Sequence, residues 1–185
     1  MFLSVNPLKI LTLEDSSNDI FSPYIEFQDE NIPIHKRITI GIKPNDGLSP
    51  ELADKLAIIR CDPSGDLSYY GGDWEGKFIR CRTREFGTYC LMEDIQPPTI
   101  TPIRFDYNMT GKKKMIFEVT DNFKDSPISY FATVDDNWIL FEHDAKSNTI
   151  FHVFDDRIGK GEHYLKIHVS DDRNNQSSFN SLFKR

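Results

Sequence analysis

Two short stretches, Thr120-Asp121-Asn122 and Ser170-Asp171-Asp172, carry the side-chain oxygens best suited to a hard cation. Calcium takes about six to eight oxygen ligands from carboxylates, amides and backbone carbonyls. Asp121, Asn122, Asp171 and Asp172 could supply part of such a set if the two stretches meet. The competing role is local, because Asp and Asn after a strand commonly close a turn by accepting from N–H groups of their own backbone. A second group is aromatic: Tyr69-Tyr70-Gly71-Gly72-Asp73-Trp74 sets three large rings beside two glycines. Such rings give wide contact area at small entropic cost, and Tyr69, Tyr70 and Trp74 suit stacking on a sugar or anchoring a partner. In a hairpin, however, Tyr69 and Tyr70 face opposite ways, so one belongs to a core, and Gly71-Gly72 reads first as the turn. Trp138, which follows Asp135-Asp136-Asn137, reads as a packing residue of a sandwich.

Bond-breaking chemistry leaves no matching pattern. The five histidines, His35, His143, His152, His163 and His168, include no HExxH spacing and no HxH pair on a strand, so no zinc peptidase centre is written here. GxSxG and GxxxxGK[ST] are also missing, which removes the nucleophile elbow and the phosphate-cradling loop. Cys61, Cys81 and Cys90 all precede the double proline, and only His35 shares that half of the chain. A Cys–His nucleophilic pair therefore has no orienting third group. Spacings of 20 and 9 between the cysteines match no zinc pattern; buried thiols or one disulfide both remain open. The sequence thus predicts no catalytic residue and no cofactor, with calcium as the one metal it admits.

Composition sets the class. With 38% hydrophobic, 12% aromatic and 28% charged residues, the 185-residue chain can bury a real core. Its net charge of −7 and pI near 5.2 repel a polyanion, and Lys112-Lys113-Lys114 is the one basic cluster, so nucleic acid is not an expected partner. No stretch approaches the roughly 18 apolar residues of a membrane span. The opening MFLSVNPLKILTL is broken by Asn6, Pro7 and Lys9 and reads as one or two strands rather than a signal peptide. A Met directly before a strand also suits a piece cut from a longer chain.

The elements that must position these residues follow a period of two. Met115, Phe117 and Val119 alternate with other neighbours, as do Ile128, Tyr130, Ala132 and Val134, and Leu165, Ile167 and Val169. That pattern predicts half-buried antiparallel strands. After Pro97-Pro98 it places strands near residues 99–105, 113–119, 128–134, 137–142, 149–154, 163–170 and 178–184, the count of an immunoglobulin-like sandwich. In that fold the second and sixth strands run the same way, which would bring the two Asp stretches to one end. Before the prolines, strands are expected near 2–5, 8–13, 19–27, 36–43, 56–62, 67–71, 76–83 and 86–93. Ser49-Pro50-Glu51 supplies an N-cap, a first-position proline and a first-turn acid for a helix of one or two turns ending at Lys55. Each side of the double proline carries its own set of strands, and consecutive prolines make a short stiff connector. The expectation is an all-β chain of two tandem β-sandwich domains: residues 1–96 with a short helical crossover, a linker at 97–98, and an immunoglobulin-like domain of about seven strands at 99–185.

One ordered set of pieces goes further. Tyr69-Tyr70-Gly71-Gly72, Thr83-Arg84-Glu85-Phe86-Gly87-Thr88-Tyr89-Cys90, Asp94 and Pro97-Pro98-Thr99-Ile100 in the first half are followed by Phe117-Glu118-Val119-Thr120-Asp121-Asn122, Val134 to Glu142, Phe154-Asp155-Asp156-Arg157, Gly159-Lys160-Gly161 and Val169-Ser170-Asp171 in the second. This set resembles the non-catalytic C-terminal β-sandwich region of the lysostaphin-type (LytM-type) zinc metallopeptidases of Gram-negative envelopes, which cut peptidoglycan cross-links. Their zinc is held by histidines and an aspartate in a separate catalytic domain, and none of those motifs occurs here, so no catalytic residue carries over. The resemblance implies a non-enzymatic accessory region in the periplasm or on the envelope, whose partner is the catalytic domain of a parent chain or a cell-wall component. A free-standing carbohydrate-binding or adhesive module, using the Tyr69–Trp74 hairpin, is the other reading.

Overall fold

The computed structural model describes residues 9–11 and 20–185; the strand expected near residues 2–5 lies outside them. The chain divides into two compact units. One ends at Ile95 and also takes in Phe123–Ser126; the other comprises Gln96–Asn122 and Pro127–Arg185.

Among the described residues, the first unit holds strands β1 (Lys9–Leu11), β2 (Tyr24–Phe27), β3 (Ile38–Ile42), β4 (Leu56–Cys61), β5 (Leu67–Gly71), β6 (Asp73–Glu75), β7 (Phe78–Thr83) and β8 (Gly87–Glu93), with helix α1 (Pro50–Ala53). Its two antiparallel sheets have the orders β1-β2-β8-β4-β5 and β3-β7-β6. β7 shows why a period of two makes a sheet: Ile79, Cys81 and Thr83 are buried while Phe78, Arg80 and Arg82 are exposed. Ile79 and Cys81, with Ile40 and Ile42 of β3, pack on Leu56, Ile58, Tyr89 and Leu91 of the five-stranded sheet. Burying a side chain of this kind contributes about 1.5–3 kcal/mol each. A second cluster of Ala57, Ile59, Tyr69, Cys90 and Phe123 covers the other face of that sheet. Leu56, Ala57, Ile58 and Ile59 are consequently all 0% exposed, which is why β4 reads as an unbroken apolar run rather than an alternation.

α1 forms at the expected place. The Ser49 hydroxyl accepts from the Leu52 N–H at 3.3 Å, Pro50 stands in the first turn and Glu51 beside it. None of its residues is buried, and among the described residues no helix is long and apolar enough to cross a membrane.

Gly71-Gly72 is not a hairpin turn. β5 pairs with β4 in one sheet, whereas β6 pairs with β7 in the other, so the two glycines mark the crossing between sheets. Gly72 has φ +113°, and a Cβ there would stand 2.9 Å from both the Arg80 carbonyl oxygen and Ile79 Cγ2. Only glycine combines that backbone conformation with so close an approach. The hairpin falls one strand later, at Gly76 (φ +65°) between β6 and β7.

The second unit is a β-sandwich of β9 (Thr99–Arg104), β10 (Lys114–Thr120), β11 (Ser129–Val134), β12 (Asn137–Trp138), β13 (Glu142–Asp144), β14 (Thr149–Val153), β15 (Glu162–Ser170) and β16 (Gln176–Lys184). The sheet orders β13-β14-β10-β9 and β12-β11-β15-β16 give the arrangement of an immunoglobulin constant-type domain with one short added strand. Met115, Phe117, Val119 and Ile150 from one sheet meet Ala132, Val134, Leu165, Ile167, Val169 and Phe183 from the other. The strand expected at 137–142 is two strands, making eight rather than seven. β12 pairs with β11, and β13 pairs with β14 across the sandwich. Between them Ile139 and Phe141 stay buried, while the Leu140 carbonyl lies 2.8 Å from Nδ1 of His152. A side chain thus satisfies the backbone where the chain changes sheet. The β11–β12 turn is built by Asp135 (φ +50°) and Asp136 (φ +63°), the two left-handed residues of a type I′ hairpin. Pro98 is buried, and the Ser177 hydroxyl donates to its carbonyl at 2.5 Å.

Candidate functional site

The two Asp stretches do meet. β10 and β15, in opposite sheets of the second unit, end close to each other, and Asp121 and Asp171 each bring a carboxylate oxygen within 4.8 Å of the other. Asp171 is 4% exposed. Its Oδ1 accepts from the backbone N–H of Arg173 at 2.9 Å and of Asn175 at 2.8 Å, and its Oδ2 accepts from Asn175 Nδ2 at 2.8 Å. This carboxylate closes the 171–175 turn. Asp172 holds the Arg173 guanidinium at 3.1 Å, and Asn122 is exposed.

Tyr69, Tyr70 and Trp74 lie on different surfaces of the first unit. Tyr69 is 8% exposed and its ring centroid is 5.8 Å from that of Phe123. Tyr70 turns to the opposite face, edge-on to Tyr89 at 5.4 Å, and donates its hydroxyl to Glu85 Oε2 at 3.0 Å. Burial first, then the bond to Glu85, push the Tyr70 phenol above its ordinary range. Tyr89, wholly buried, donates to the Glu85 carbonyl at 2.8 Å and meets Thr83 Oγ1 at 3.1 Å; burial drives its phenol up further still. Trp74 is 39% exposed, with its indole N–H given to the Ala53 carbonyl at 3.1 Å.

A different aromatic group shares one face. On the outside of the β12-β11-β15-β16 sheet, Phe131 is 53% exposed, Trp138 53%, Tyr164 39% and Leu182 47%. Trp138 was expected to pack inside the sandwich; instead Ile139 and Phe141 fill that role. Strand register sets these residues in rows. Trp138 stands opposite Thr133, Thr133 opposite Lys166, and Lys166 opposite Asn180; Phe131 stands opposite His168 and His168 opposite Ser178; Tyr164 stands opposite Leu182. Cross-strand neighbours on one face are about 4.5–5.5 Å apart at Cβ, so rings and hydrogen-bonding groups interleave. Lys166 Nζ is 2.6 Å from Asp136 Oδ1 and 5.6 Å from the Tyr164 ring centroid. The bond to Asp136 holds the ammonium above its usual pKa, so it stays charged. His168 Nδ1 and the Ser178 hydroxyl are 2.7 Å apart, but among the described residues no carboxylate bonds His168 to orient it as a base. The face can stack on and hydrogen-bond a ligand. Its signal was present in the sequence as the large apolar residues at the outward positions of β11, β15 and β16.

The first unit also carries a cleft of about 850 Å³, bordered by Tyr24, Glu26, Glu30, Cys61 and Asp62. Two of its acids are engaged locally. The Ser64 hydroxyl and the Asp66 N–H hold the Asp62 carboxyl below its ordinary value, and Glu30 takes the Arg60 guanidinium at 3.1 Å. Sequence patterns gave no sign of this cleft, because its walls come from strands and turns far apart in the chain.

A family model described as the Zu5-like domain matches residues 6–94, a range that falls within the first unit. A solved structure described as fibronectin(III)-like modules of Clostridium thermocellum CbhA is similar at 14% identity and a TM-score of 0.38, over 82% of this chain and 86% of that one. No curated protein matches the chain.

Proposed function

We propose that the chain is a non-catalytic recognition region of a bacterial envelope peptidase, standing in the periplasm or on the envelope, and that it contacts the glycan of the cell wall through the outer β12-β11-β15-β16 face. One observation carries this reading: Phe131, Trp138, Tyr164 and Leu182 all project into solvent from a single sheet face. Isolated exposed apolar residues are ordinary, but several on one face mark an interaction surface. The interleaved Thr133, Lys166, Ser178 and Asn180 favour a sugar, because rings cover the C–H face of a pyranose while hydroxyl, amide and ammonium groups reach its hydroxyls. The peptidase context rests on the resemblance of the ordered sequence pieces. The alternative platform at Tyr69–Trp74 has less in its favour, since Tyr69 is buried and Tyr70 packs on Tyr89.

The test is co-sedimentation of the purified chain with insoluble peptidoglycan. A Trp138→Ser, Phe131→Ser double variant that keeps the wild-type melting temperature is expected to bind roughly 30-fold more weakly, a loss of about 2 kcal/mol for the two rings together. No binding by the wild-type chain would overturn the wall reading. Equal binding by the double variant would move the contact to another surface.

A further inference from the structure

We propose that Cys61 and Cys90 are a disulfide-forming pair that closes when the chain meets a small-molecule disulfide of the glutathione class. The two Sγ atoms lie 3.7 Å apart, and the residues are 29 apart in sequence. Register explains the meeting. In the antiparallel β4–β8 pair, Cys61 stands opposite Thr88 and Ile59 opposite Cys90, so the cysteines are diagonal neighbours on one face of the sheet. Diagonal Cβ atoms in such a pair lie within about 7–8 Å, and a bond of about 2.05 Å needs the sulfurs to close by rotation about χ1 and a small shift of one strand end. Cys61 is the last residue of β4 and runs into the 62–66 turn, where such a shift disturbs the fewest ladder bonds.

Access differs between the two sulfurs. Cys61 is partly exposed and borders the cleft of the first unit, whereas Cys90 is 0% exposed. The order of events follows. The Cys61 thiol loses its proton to solvent, and its thiolate attacks one sulfur of oxidised glutathione, breaking that S–S bond and releasing one glutathione thiolate. The Cys90 thiol then loses its proton, its thiolate attacks the Cys61 sulfur, and the second glutathione leaves as thiolate. Two protein thiols become one disulfide while one small disulfide becomes two thiols. Cys81 is excluded by position: it packs in the other core cluster, between the two sheets of the unit. The cleft, with a thiol on its border and a buried resolving thiol behind it, therefore reports the redox state of its surroundings by tying the centre of the five-stranded sheet.

The experiment incubates the whole purified chain with glutathione buffers of increasing oxidised fraction and reads the intact mass, then the disulfide-linked peptides. The expected product has lost two hydrogens, links the Cys61 and Cys90 peptides, leaves Cys81 alkylatable only after denaturation, and unfolds at higher urea than the reduced chain. A folded Cys90→Ala variant should stop at one glutathionyl group on Cys61, and a folded Cys61→Ser variant should take none. The proposal falls if wild-type chain stops at the mixed disulfide, if the bridge involves Cys81 or a second chain, or if no bridge forms at any buffer composition.

Discussion

Phe123 lies with its ring centroid 5.8 Å from that of Tyr69, the two rings tilted by 43°. The residues stand on opposite sides of the double proline in sequence, yet both belong to the core cluster behind β4 and β8. The four residues Phe123–Ser126 thus complete the first unit from within the second half of the chain.

Replacing Phe123 by Ala is expected to destabilise the first unit by about 3 kcal/mol, the cost of a cavity where a buried ring stood. The two tryptophans allow the effect to be localised, since Trp74 belongs to the first unit and Trp138 to the second. In a Trp138→Phe background, the urea midpoint of Trp74 fluorescence should fall on adding Phe123→Ala. An unchanged midpoint would show that the ring contributes nothing. A piece of the chain ending at Ile95 should show the same deficit, because it lacks Phe123, while a piece beginning at Thr99 keeps its eight strands.

The second expectation concerns alkaline pH. Burial pushes the Cys81 thiol from 9.0 up to about 12, so between those values the unfolded chain has lost a proton that the folded chain retains. Its contribution is full below pH 9 and is lost as pH rises toward 12, at up to about 1.4 kcal/mol per unit. Tyr89, raised from 10.0 by burial, adds a fall of the same sign beginning one unit higher. Urea midpoints measured from pH 8 to 10.5 should therefore decline from near pH 9 in the wild-type chain and from near pH 10 in Cys81→Ala. Coincident curves would mean that the thiol titrates alike in both states.

A third expectation separates turn from metal. Asp171→Ala removes the acceptor for two backbone N–H groups and for Asn175 Nδ2, and should cost about 2–4 kcal/mol in metal-free buffer. Millimolar calcium should leave the wild-type melting temperature unchanged, because a ligand of the folded state alone must raise it with concentration. A calcium-dependent rise that vanishes in Asp121→Ala, Asp171→Ala would assign the carboxylates to an ion instead.

Much of the architecture was legible from periodicity. The outward and inward residues of β7, β10, β11 and β15 follow the alternation of their sequence, and Ser49-Pro50-Glu51 marks α1. Legibility ended where the chain changes sheet. Gly71-Gly72 has the composition of a hairpin turn, but a composition does not say which neighbour a strand will pair with, and here β5 and β6 pair into different sheets. The 137–142 stretch failed for the same reason: its alternation runs on through Leu140 while its partner changes from β11 to β14. The candidate surface was not legible because its aromatic residues lie far apart in sequence. Phe131, Trp138, Tyr164 and Leu182 are brought together only by register across four strands.

β4 and β7 also differ in how much change they can absorb. Every second position of Phe78–Thr83 faces water, so half of that strand can drift through charged and polar residues with little penalty. Leu56 to Ile59 has no such side: at four successive positions any hydrophilic replacement leaves a polar group in a dry interior. Over many generations the centre of the first unit should remain a short block of aliphatic residues, while the strand facing it across the core keeps only the rhythm of its inward half.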